Sequence, residues 1–172
     1  MPGESTTEPQ PIEIYLNDHL AGATGACEIA RNAVQKFDTT SHRNFLVQFQ
    51  TEVDEDRVTL EEMIRTVGGT PNPMKQASAW IMEKVSRIKL SPGGLGSEEM
   101  SALLTIETLC IGVEGKICLW VGLKEVADDI EKLSAYDFNE LIARAKSQRE
   151  GLEKERLVAA RAALRDSVGA GR

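Results

Sequence analysis

Six polar side chains stand where helical spacing turns them toward the middle of a bundle, and they are the residues of this chain most able to do chemistry. Asp56 and Gln148 interrupt two apolar stripes; His19, Glu107, Glu114 and Lys116 fall at a similar depth on two other helices. Carboxylates and an imidazole brought to one level suggest either a cation site or a set of buried ion pairs. Glu107 and Glu114 are seven residues apart and share one edge of a helix, as a bridging pair would. A carboxylate held away from water without a partner costs several kcal/mol, so Asp56 needs a cation, and Lys116, Arg57 and His19 are the candidates. The ordinary reading of each is structural: His19 a hydrogen-bonded flank residue, Glu107 and Glu114 surface ion pairs, and the acidic run Glu52 to Asp56 a solvated stretch. Other chemistry has no footing, because the sequence contains no phosphate-binding glycine loop, no GxSxG and no HExxH.

A second group lies at the same level. The first helix reads Ala21-Gly22-Ala23-Thr24-Gly25-Ala26 and the third carries Gly112 and Gly115, although an interior glycine costs about 1 kcal/mol relative to alanine. Either two helices approach closely there, or the missing side chains leave a cavity able to take a small apolar ligand.

The elements that position these residues follow from apolar periodicity. Leu16, Leu20, Ala23, Cys27, Ala30, Val34 and Phe37 predict a first helix over 12–37. Leu46, Phe49, Val53, Asp56, Leu60, Met63 and Val67 predict a second, capped by Ser41 and ended by Gly68-Gly69. The short turn between them makes the pair antiparallel. Asn72-Pro73 restarts a short helix carrying Met74, Ala77, Trp80, Ile81, Val85 and Ile88, which Ser91-Pro92-Gly93-Gly94 stops. The whole connection is about 28 residues, long enough to cross the bundle, so the third helix should run parallel to the second. That third helix starts at Ser97 and carries Leu103, Ile106, Cys110, Val113, Ile117 and Trp120. The fourth is expected to open on a capping box of Ser134 and Asp137, with a stripe of Phe138, Leu141, Ala145, Gln148, Leu152 and Ala159. No strand pattern competes.

Composition agrees with one all-α domain of residues 12–168, preceded by a disordered arm over 1–11 and followed by a frayed end over 169–172. With 172 residues and 41% apolar content the chain can bury a core without disulfides or structural metal. Its three cysteines lie within apolar helical patterns and show no zinc spacing, so they read as small hydrophobes. A net charge of −7 disfavours nucleic acid as a partner. The start of the chain lacks the features of a signal peptide and no stretch of 18 apolar residues exists, which predicts a cytoplasmic protein without a membrane span. From Arg144 to Arg165 both charge signs interleave, a solvated face, and the length of the fourth helix allows an overhang that could serve a homodimer.

Two helix pairs, a long connection, the Gly-Gly-Thr-Pro turn at 68–71 and inward polar residues at mid-height together resemble the ferritin-like superfamily. The resemblance implies an up-down-down-up four-helix bundle with an added crossover helix, and it implies iron or manganese. In that group two ions are held by a Glu on the first helix, Glu-x-x-His on the second, Glu on the third and Glu-x-x-His on the fourth. Carried onto this chain, the first position is Ala23, with His19 a turn away. The second is Val53 and Asp56, or Glu52 and Glu55 in a rotated register. The third is Glu107 or Glu114, and the fourth is Gln148 and Gly151. His19 and His42 are the only histidines in the chain. The expectation is therefore a non-catalytic structural or interaction protein without cofactor, its centre a network of His19, Asp56, Glu107, Glu114, Lys116 and Gln148. The alternatives are an iron or manganese oxidoreductase using His19, Asp56, Glu107 and Glu114, and a binder of a small apolar ligand beside Gly22, Gly25, Gly112 and Gly115.

Overall fold

Proline at the first helical position lacks an N–H that would have no partner there, and its fixed φ suits the helix; Pro11 accordingly opens α1, Pro11–Lys36, after an extended Gln10. The computed structural model describes residues 10–37, 42–72 and 97–165. Residues 1–9 of the expected arm, the Ser41 cap, the crossover helix from Pro73 and the terminal segment 169–172 lie outside those residues, while Pro11, expected in the arm, is already helical. α2 is Arg43–Thr66, α3 is Glu98–Val126 and α4 is Phe138–Arg165, with a short 3-10 turn over Glu131–Leu133. All regular structure among the described residues is helical, and no described helix is long and apolar enough to cross a membrane.

The helix ends follow local chemistry. Ser97 caps α3 by accepting from the Met100 N–H at 3.3 Å. At α4 the cap differs from the expected Ser134: Asp137 Oδ1 accepts from the Glu140 N–H at 3.0 Å, while the Ser134 hydroxyl donates to the Glu131 carbonyl inside the 3-10 turn. The helix therefore starts three residues later, with Asp137 in place of Ser134 as its cap, after the 3-10 turn. Gly68 ends α2 at φ 96°, a conformation that a side chain disfavours. Gly69 serves space instead: a Cβ there would lie 2.7 Å from Glu13 Cγ.

Side-chain bonds fix how the helices meet. Lys36 Nζ, at the end of α1, donates to Ser101 Oγ near the start of α3 at 2.6 Å. His42, just before α2, pairs with Glu155 of α4, and Thr66 at the other end of α2 meets the Tyr136 hydroxyl at 3.0 Å. Lys124 near the end of α3 reaches Asn139 near the start of α4 at 2.8 Å. Asn17 of α1 receives the Asn72 N–H at 2.6 Å.

The expected stripe of α2 is buried from Leu46 through Met63, Asp56 included. The apolar core divides in two. One cluster gathers Phe37, Leu46, Phe49, Val53, Ile106, Val113 and Leu152; the other gathers Leu16, Leu20, Leu60, Met63, Trp120, Phe138 and Ala145. Each large side chain contributes about 1.5–3 kcal/mol through burial. Between the clusters, α2 carries Asp56, α3 carries Lys116 and α4 carries Gln148. Facing that level, α1 carries the small residues Gly22, Ala23 and Ala26.

Candidate functional site

Asp56 is the centre of the polar layer, with its side chain 5% exposed. Lys116 Nζ donates to Asp56 Oδ2 at 2.5 Å and also to Gln148 Oε1. Arg144 Nη2 donates to the other carboxylate oxygen, Oδ1. The Gln148 amide completes the arrangement, donating to Glu52 Oε2 at 2.9 Å and to Asp56 Oδ2 at 3.3 Å. Arg144 Nη1 reaches the exposed Glu55 at 3.4 Å. Burial pushes the Lys116 ammonium below its ordinary pKa, while the charge of Asp56 and the bond to it pull it back up. One buried carboxylate thus faces two cations, and every oxygen of Asp56 is satisfied.

The other expected members are placed elsewhere. Glu114 accepts from Arg149 Nε at 2.9 Å and is 58% exposed; Glu107 lies 3.6 Å from Arg156 Nη1 and is 42% exposed. Both sit on the outer α3–α4 seam, at the depth read from sequence but turned about 100° from the buried stripe. Arg57 pairs with Glu61 of its own helix rather than with Asp56. His19 packs edge-on against the Tyr15 ring with centroids 4.7 Å apart, and burial lowers its pKa against the opposing pull of Asp18. Of the cysteines, Cys27 and Cys110 are buried as small hydrophobes, whereas Cys118 is exposed.

Arg144 is the member that sequence reading missed. It lies four residues before Gln148, on the same face of α4, but the interleaved charges around it gave it the look of a solvated surface. Gly151 also has a reason that spacing alone does not give: a Cβ at that position would meet the Phe45 ring at 2.4 Å, so α2 fills the place where the resemblance puts an imidazole.

The donors present do not fit a dinuclear iron or manganese centre. Two bridged dications need several carboxylates and imidazoles converging on one point. Among the described residues no three His, Cys, Asp or Glu side chains do so, and Asp56 already accepts from Lys116, Arg144 and Gln148.

Beside the polar layer lies a cavity of about 340 Å³. Its walls are α1, through Gly22, Ala23 and Ala26, and α3, through Gly112 and Gly115; α2 closes it with Phe49, Val53 and Leu60. Gly25 is not among its lining residues. Among the described residues, a Cβ on Gly115 would meet nothing within 4 Å, and one on Gly112 would meet the Ala26 methyl at an ordinary 3.8 Å. Gly115 therefore borders open space among the described residues, while Gly112 stands at ordinary contact distance from α1. Asp56, Lys116 and Trp120 reach the lining from the polar side.

Comparison of the chain with protein-family models, with curated proteins and with solved structures finds no significant match.

Proposed function

We propose that this chain is a non-catalytic, ferritin-like helical bundle that binds a small apolar molecule between α1 and α3, its centre held by ion pairs in place of a metal site. The observation that carries this reading is the open space beside Gly115. Two apolar clusters and the polar layer around Asp56 flank it, and a cavity of that size and lining is what small-molecule sites are made of. The order of contacts supports the ferritin-like arrangement: Lys36 with Ser101, His42 with Glu155 and Lys124 with Asn139 fit helices running up, down, down and up. Three free thiols favour a reducing, cytoplasmic setting. The oxidoreductase alternative weakens because Glu107 and Glu114 are turned outward to Arg156 and Arg149.

Thermal-shift measurements with small apolar alcohols and arenes test the reading. A ligand at 100 times its Kd stabilises the folded state by about 2.7 kcal/mol, which at this chain length raises Tm by roughly 5–10 °C. Gly115→Leu should fill the space and remove the shift. No shift in the native protein, or the same shift in the variant, would refute it.

A further inference from the structure

Asp18 lines one end of the cavity, exposed to solvent, and among the described residues it makes no hydrogen bond or ion pair. Its neighbour His19 lines the same end. Burial holds that imidazole below its ordinary pKa, so at neutral pH it is uncharged and leaves the Asp18 carboxylate unanswered. The other end is apolar. Lys36 meets Ser101 and Tyr15 stands by Gly122, so α1 and α3 run antiparallel and Ile29 shares its level with Leu109. The Thr108 hydroxyl there is committed to the Leu104 carbonyl at 2.8 Å. From Asp18 to Ile29 the wall of α1 runs about 16 Å, at about 1.5 Å of rise per residue. Charge along the space is negative on balance. Asp18 and Asp56 line it against the ammonium of Lys116, which is spent on Asp56 and Gln148, and Glu52 and Glu55 stand behind on Gln148 and Arg144. Such a lining favours a cation and disfavours an anion.

We infer that the ligand is a small aliphatic amine, its ammonium donating to the Asp18 carboxylate and its hydrocarbon body lying along Ala23, Ala26, Gly112 and Gly115. The inference rests on the cavity being a binding site, as proposed above, and adds the chemical class of what it holds. Polarity sets the orientation: Lys116, at the level of Gly22 and Ala23, repels an ammonium, so the head stays at the Asp18 end, where water also reaches it. A chain of about eight carbons fits within the length of the wall. A neutral alcohol of equal length fills the same volume but leaves the carboxylate without a counter-charge.

Calorimetric titration of the full chain at low salt with octylamine, 1-octanol and octanoate tests the amine apart from the site. Octylammonium should bind about fivefold more tightly than octanol, the gain an exposed carboxylate supports, and octanoate more weakly than octanol. Asp18→Asn, a change at an exposed position, should bring octylammonium to within about twofold of octanol and leave octanol affinity unchanged. Gly115→Leu should abolish binding of both, which separates the cavity from adsorption of a cation to an acidic surface. Octanol binding as tightly as octylammonium would overturn the amine and leave the apolar site standing. A preference that survives Asp18→Asn undiminished, or octylammonium binding that survives Gly115→Leu, would overturn the placement of the head or of the body. If no probe binds, both the site and the class of ligand are wrong.

Discussion

Lys116 Nζ and Asp56 Oδ2 are 2.5 Å apart in the middle of the bundle, at side-chain exposures of 13% and 5%, with an apolar cluster on either side. A pair so placed is costly to break from one end, because the surviving partner keeps its desolvation penalty and loses its counter-charge. Asp56→Ala strands the buried Lys116 and leaves Arg144 with the exposed Glu55, and it should lower stability by about 3–5 kcal/mol. Urea denaturation measures this; a loss under about 1 kcal/mol would mean that water or another carboxylate already serves these cations.

Two glycines in neighbouring helices should respond to the same substitution with opposite sign. Gly115→Ala adds a methyl group to open space within a helix and should stabilise by about 1 kcal/mol. Gly151→Ala drives a methyl group into the Phe45 ring, itself stacked on Phe49 with centroids 5.8 Å apart, and should destabilise by about 1–3 kcal/mol. Adding Phe45→Leu to the second variant should reduce its penalty. Denaturation midpoints for the three proteins check the set, and equal effects at the two glycines would contradict the packing described.

Acid should weaken the α4 surface at a defined place. The bond from Arg156, joined by that from Arg149, holds the Glu153 carboxylate at a pKa of about 2, below its ordinary 4.5. A group with a depressed folded-state pKa contributes stability above its unfolded value and loses it as pH falls. The stability difference between the native protein and Glu153→Gln should thus be constant above pH 4.5 and shrink between about pH 4.5 and 2. A difference that stays flat across this window would show that the arginines do not hold the carboxylate in solution.

Thiol reactivity should sort the three cysteines. Burial, aided by the charge of Asp54, pushes the Cys27 thiol up to about 12, and burial raises Cys110 as well. Cys118 is exposed. At pH 8 a disulfide reagent should modify one thiol quickly, identified by mass spectrometry as Cys118, and all three after denaturation, since the thiolate is the reacting form. Fast modification of Cys27 in the native protein would argue against the close contact of α1 with α2.

Helix identity and depth were legible in the sequence because both follow from one-dimensional spacing. The stripe Leu46, Phe49, Val53, Asp56, Leu60 and Met63 names its own buried face, and it is the face observed. Facing direction was harder. Glu107 stands beside Ile106 and at the right height, but one residue of rotation carries it to the surface, where Arg156 waits on α4. Lys116 was legible as a partner for Asp56 because it falls on the line from Val113 to Trp120. Arg144 was not, since a half-buried arginine in a charge-rich helix looks like its exposed neighbours until the facing helix is known. The purpose of a glycine is likewise set by what stands opposite. Nothing local distinguishes Gly115, which meets open space among the described residues, from Gly151, which admits a ring.

Anomalous diffraction from a xenon-pressurised crystal, recorded also at the iron and manganese absorption edges, tests the central claim most directly. The account predicts xenon between α1 and α3 beside Gly115, because an apolar cavity of about 340 Å³ takes such an atom, and no metal peak at Asp56. Two metal peaks a few ångströms apart beside Asp56, with the cavity filled by side chains, would contradict it.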